Sequence, residues 1–172
     1  MSFEIVSGEG GEVAESLSEQ IIHRIDQAVE LYHRLILVVA PAGAGKTATL
    51  QDVAKAKHTG FRYINVNLEL SRRLLDLTER QRSLQVPRLL SEIVGRGGDQ
   101  VVLLDNIELL FDVSLKQDPL RLLQGISRNR TVVVAWNGTV ANRFLIYARP
   151  GHPEYRRYPI DDLVVVSPEV PA

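Results

Sequence analysis

The sequence predicts an α/β fold: a three-layer αβα sandwich with helices on both faces of a mostly parallel central sheet. Three observations carry that expectation. Short, wholly or largely apolar runs over residues 35–40, 101–104, 131–136 and 163–166 read as strands, most of them buried on both faces. Segments with apolar residues at helical spacing separate most of them, the alternation that builds a parallel sheet. The first run also leads into Pro41-Ala42-Gly43-Ala44-Gly45-Lys46-Thr47, a turn of small residues opening onto a helix-compatible segment.

Taken in order, residues 1–15 are rich in Gly and Glu and read as a flexible leader before one domain over residues 16–172. Ser16-x-x-Glu19 offers a capping box. Ile21, Ile25, Ala28, Val29 and Tyr32 then recur as a helical face, which predicts a helix over residues 18–32. A strand at 35–40 and a helix at 46–57 follow, and Gly60 closes that unit. A second strand is expected at 61–66, with Asn67 as cap of a helix carrying Leu70, Leu74 and Leu77. Residues 78–86 are polar and Arg-rich, and Pro87 suits the first position of a new helix. Gly95 to Gly98 ends it. The strand at 101–104 ends in Asp105, a turn or short helix follows at 107–111, and Asp118-Pro119 starts another helix. After the strand at 131–136 come Asn137-Gly138, a short extra strand at 144–147, a Pro-Gly turn at 150–151 and the last strand. Few residues follow it, so no C-terminal lid domain is expected.

The chain has 172 residues, a net charge of −1 and no Cys, which leaves no disulfide and no thiolate metal site. Nothing global draws it to nucleic acid or an anionic membrane. DNA contact stays open through a local Arg stripe but is not indicated by net charge. No run reaches membrane-spanning length, and the acidic N-terminus lacks a signal core, so a cytoplasmic protein is expected. Of the 20 basic residues four are Lys and 16 Arg, a bias compatible with nucleotide or subunit contacts as well as with plain surface charge.

The chemistry gathers at the small-residue turn. It fits the phosphate-binding pattern G-x-x-x-x-G-K-[ST], except that Ala40 stands at the first glycine. In such a loop Ala42, Gly43, Ala44, Gly45 and Ala48 bring backbone N–H groups onto phosphate oxygens. Lys46 reaches the β- and γ-phosphates, and Thr47 offers its hydroxyl to Mg²⁺. Ala40 would be strained if that position needed a positive φ. Asp105, at the end of an apolar strand, resembles the Walker B carboxylate that holds Mg²⁺, usually through a water. Beside it, where a hydrolase often has Glu, stands Asn106, which can hold a water but is no base. Glu108 is the alternative, and equally reads as a carboxylate favoured at a helix start. Asn137 resembles the sensor residue of AAA+ and related ATPases, or a plain turn residue. Arg128 and Arg130 are candidates for an arginine finger acting on a neighbouring subunit, with Arg143, Arg149, Arg156 and Arg157 behind them. Trp136 reads as core, and His152 and Tyr155 have no spacing that suggests a metal or a nucleophile.

Three runs are more particular: NLELSRRLLDLTERQRSLQVPRLL, LLDNIELLFDVSLKQDPLRLLQGISRNRTVVVAWNGT and PGHPEYRRYP. Together they resemble BrxF, the small P-loop protein family of type-3 BREX phage-defence systems, from about Ile21 onward. The resemblance implies a bacterial antiviral defence system and work alongside other BREX proteins, among them a methyltransferase, a large ATPase and a phosphatase-like protein. It implies context rather than mechanism.

The expected function is ATP-Mg²⁺ binding with slow or partner-stimulated hydrolysis, in a nucleotide-controlled switch or homo-oligomer. Without a lid, nucleotide contacts are few, so self-association or a partner should improve binding or turnover. The alternatives are a small P-loop kinase, for which no acceptor site stands out, and a non-hydrolysing nucleotide- or DNA-binding module.

Overall fold

Among the described residues, a five-stranded parallel sheet and the helices on either side of it hold most of the buried apolar side chains. A computed structural model describes residues 15–57 and 59–168. The leader expected over residues 1–15 therefore lies outside the described residues, Glu15 excepted.

The elements are α1 (Leu17–Ala28), β1 (Leu35–Ala40), α2 (Lys46–Ala56), β2 (Phe61–Asn65), α3 (Val66–Leu74), α4 (Glu79–Gly95), β3 (Val101–Asp105), α5 (Pro119–Ile126), β4 (Thr131–Asn137), β5 (Thr139–Ala141), β6 (Phe144–Tyr147), β7 (Arg156–Pro159) and β8 (Val164–Val166). The main sheet runs β2-β3-β4-β1-β8, with every neighbouring pair parallel. β4 thus separates β1, which leads into the glycine turn, from the strand ending in Asp105. Register pairs Ala40 with Asn137 and Asn65 with Asp105, so these strand ends share one edge. β1, β3 and all of β4 but Asn137 are buried throughout, as their unbroken apolar runs require. Ile21, Ile25, Leu50 and Val53 of α1 and α2 cover one face. Leu70, Leu90, Ile93 and Leu123 of α3, α4 and α5 cover the other.

Several elements depart from expectation for identifiable reasons. α1 has its capping box at Ser16 and Glu19, but it stops at Ala28, and Val29 and Tyr32 are exposed rather than core. Asn65, not Asn67, caps α3, accepting from the Leu68 N–H. Pro87 does not start a helix. α4 begins eight residues earlier, at a second capping box formed by Thr78 and Gln81, and runs through the proline. A proline there cannot donate to the carbonyl of Ser83, four residues back. The Gln117 Nε2 donates to that carbonyl instead, at 2.7 Å. A foreign side chain thus satisfies the acceptor that the proline strands.

Helix carboxyl ends are tied down in the same manner. The Arg62 Nη2 donates to the carbonyls of Ile93 and Val94 (3.0 and 2.8 Å), and the Arg130 Nη1 donates to Val94 at 2.6 Å. The Arg82 Nε reaches Leu74 and Leu77 at 3.0 Å each.

The larger surprise is a second sheet. β5, β6 and β7 form an antiparallel sheet, of which only β6 was expected. Asn142 and Arg143 make the two-residue β5–β6 turn, both at positive φ (51° and 65°). Tyr147 stacks on Phe111 with 3.5 Å between centroids, and the Trp136 indole N–H donates to the Ile146 carbonyl at 3.2 Å. Gly138 makes this approach feasible, since a Cβ there would sit 2.0 Å from the Ile146 oxygen. Among the described residues no helix is long and apolar enough to cross a membrane.

Candidate functional site

The turn between β1 and α2 takes its shape from two glycines. Gly43 and Gly45 have φ of 80° and 88°, a region costly for any residue with a Cβ. Ala40 is not among the residues at positive φ. It lies in the β1 ladder, paired with Asn137, and is buried. The strain feared at this position is absent, because the chain has not yet left the strand there.

Lys46 opens α2 and is only 6% exposed. Its Nζ donates to the carbonyls of Ala40 and Pro41, both at 2.7 Å. Burial lowers the pKa of this ammonium, while Asp105 and then Glu108 oppose that shift. The two carboxylates therefore lie close enough to be felt at Lys46. The Thr47 hydroxyl donates to Asp105 Oδ2 at 2.6 Å, across from α2 to the end of β3. The Tyr63 hydroxyl donates to the same oxygen, also at 2.6 Å. Asp105 Oδ1 accepts from the Asn106 N–H at 2.9 Å, and the carboxylate is buried.

Asn106 acts through its backbone. At φ 52° it reverses the chain after Asp105, a conformation Asn tolerates better than most residues. Its carbonyl accepts from the Asn67 N–H at 2.8 Å. The reversal leads into a single 3₁₀ turn, Glu108–Phe111, and delivers Glu108 back to the sheet edge. There its carboxylate is held between two carboxamides. The Asn67 Nδ2 donates to Oε2 at 2.9 Å, and the Asn137 Nδ2 donates to Oε1. The Asn67 Oδ1 in turn accepts from the Leu109 N–H at 2.9 Å, which fixes which way that amide points.

Lys46, Thr47, Asp105, Glu108 and Asn137 thus meet at the carboxyl edge of the parallel strands, where open α/β sheets bind ligands. Ala42, Gly43, Ala44 and Gly45 line the loop above them, with Ala48 in the first turn of α2. Arg128 and Arg130 do not join them. Both precede β4, at the opposite end of its strand from Asn137. The Arg128 guanidinium lies over the Tyr32 ring at 4.8 Å, and Arg130 is spent on the carbonyls of Val94 and Asp99. Of the other candidates, Arg143 pairs with Asp161, Arg156 donates to the Gln117 carbonyl, and Arg157 lies over Phe144. Sequence reading missed Asn67 and Tyr63. Asn67 looked like a cap and Tyr63 like strand filler, and only the turn at Asn106 and the β2–β3 pairing bring them to the carboxylates.

No protein-family model matches the chain, and no curated protein matches it. Among solved structures it is similar to "Structure of C. elegans PCH-2", at 16% identity and a TM-score of 0.48. That likeness covers 91% of this chain and 42% of the other, so the chain spans less than half of that protein's length. So faint a likeness adds nothing to the geometry.

Proposed function

We propose that the protein binds ATP with Mg²⁺ at the β1–α2 loop and hydrolyses it slowly. The observation that carries this reading is the convergence of a buried lysine, a hydroxyl–carboxylate pair and a clamped glutamate at one sheet edge. The donor set suits the ligand. The loop and the α2 N-terminus present N–H groups and positive potential to phosphate oxygens. Lys46 adds a charge already desolvated by burial. Thr47 and Asp105 offer the oxygen ligands a hard divalent cation prefers, and Mg²⁺ held there would neutralise charge on the phosphates. Glu108 is the residue to orient and deprotonate an attacking water, with Asn67 and Asn137 setting its carboxylate plane. A carboxylate has about four lone-pair sites, so two donated hydrogen bonds leave it able to accept from a water.

In this reading the protein is a nucleotide-controlled switch that works as a homo-oligomer or with a partner. If the BrxF resemblance holds, that partner is another BREX protein in an antiviral assembly. Among the described residues no arginine hydrogen-bonds to Thr47, Asp105, Glu108 or Asn137, and in this reading a neighbouring chain or partner supplies the completing charge. The kinase and non-hydrolysing alternatives are separated from this reading by phosphate release without an added acceptor.

The test is Lys46→Ala. ATP binding with Mg²⁺, measured by calorimetry, should weaken at least about 100-fold, the loss of a buried charge-assisted contact. Circular dichroism should stay unchanged. Unaltered affinity would overturn the site. In the wild type, turnover per chain should rise with protein concentration or with added partner, and constancy would remove the oligomer from the reading.

A further inference from the structure

Tyr63 stands out because nothing in a phosphate-loop pattern calls for it. It lies on β2, the edge strand, two residues before the strand ends, with its ring against the α1–α2 side of the core. From there its hydroxyl crosses to β3 and donates to Asp105 Oδ2, the oxygen that also takes the Thr47 proton. The Asn106 N–H holds the other oxygen. Donors from α2, β2 and the turn after β3 thus fix one carboxylate in three directions, and none of them carries charge.

The consequence falls on Thr47. A hydroxyl has one proton and two lone pairs. With its proton committed to Asp105, the Thr47 oxygen can turn its lone pairs toward a cation. That holds only while Asp105 stays put.

We propose that Tyr63 is a positioning residue for the divalent cation: it holds Asp105 on Thr47 and so sets how tightly Mg²⁺ is taken, without affecting how nucleotide alone is held. The inference rests on the ATP-Mg²⁺ reading of the site. Tyr63 touches that site through Asp105, and Lys46 and the loop do not depend on it.

Tyr63→Phe tests it, since the ring and its packing remain. A fluorescent ATP analogue is titrated into full-length protein in EDTA, and Mg²⁺ is then titrated into the complex. The variant should bind the analogue in EDTA within about twofold of wild type. Its Mg²⁺ half-saturation should rise about tenfold, the low end for loss of a group that orients a metal ligand. An unchanged Mg²⁺ midpoint overturns the proposal. So does a parallel loss of affinity in EDTA, which would make Tyr63 a general prop of the fold. Wild-type protein that does not bind the analogue at all would instead overturn the underlying nucleotide reading.

Discussion

Glu108→Gln probes the clamp with the least disturbance of shape. In the wild type both carboxylate oxygens accept from carboxamide N–H₂ groups, those of Asn67 and Asn137. Glutamine brings one acceptor and one donor, so one of the two contacts becomes donor against donor. Asn67 cannot turn over to relieve it, because its Oδ1 is committed to the Leu109 N–H. Asn137 can. The variant therefore keeps two hydrogen bonds but loses the charge that strengthened both. A hydrogen bond to a charged group contributes about 1.5–3 kcal/mol and a neutral one about 1, so over the two bonds the cost should be roughly 1–4 kcal/mol. For a chain of this size that lowers the melting midpoint by about 2–16 °C. Nucleotide affinity should change less than about threefold, as Lys46, Thr47 and the loop are untouched. Turnover should fall at least about 100-fold, the usual worth of a positioned general base. Phosphate release is the assay, alongside calorimetry. Turnover within about threefold of wild type would refute the role given to Glu108, whatever happens to stability.

Gly138→Ala should cost roughly 3 kcal/mol and loosen the second sheet, because the new Cβ would sit 2.0 Å from the Ile146 carbonyl oxygen; a chemical melt and Trp136 fluorescence would show both. Gln117→Ala leaves the Ser83 carbonyl without its donor and should destabilise by about 1–2 kcal/mol, whereas adding Pro87→Ala to it, which restores the helix's own donor, should recover most of the loss. In alkali, Tyr63, Tyr147 and Tyr158 should ionise late: burial comes first among the causes that raise all three, Tyr147 to about 12. A raised folded pKa means stability present below the ordinary value near 10 and lost as pH climbs through the folded values. Absorbance at 295 nm should therefore lag that of the urea-unfolded chain at pH 11, and coincident curves would count against the packing of these rings.

The central sheet was legible because its strands carry their own signal. Residues 35–40 and 101–104 are apolar without interruption, and a strand buried on both faces needs little else. The turn from β1 into α2 was legible for a similar reason: its small residues and the helix start at Lys46 are local in sequence. The second sheet lacked such a signal. Its two-residue turn is Asn-Arg, not the Asn-Gly that marks such hairpins, and β5 is exposed over its whole length, so no buried face alternates. α4 was misread for one residue, since Pro87 ordinarily opens a helix and here is tolerated only through Gln117, thirty positions on in sequence. The same distance in sequence hid Asn67 and Tyr63, whose partners Glu108 and Asp105 are about 40 residues away.

The arginines admit a plainer account than the one their number first suggested. Arg62, Arg82 and Arg130 each aim a flat, forked cation at the carbonyls that a helix leaves open at its end. A lysine at these positions would offer a single ammonium on a flexible stem, without the planar, pre-organised N–H geometry of a guanidinium. Exchanging Arg for Lys, a routine manoeuvre in surface engineering, would therefore keep the charge of this protein while unpicking its helix ends. The preference for one basic residue over the other is a feature of its carpentry as much as of anything it binds.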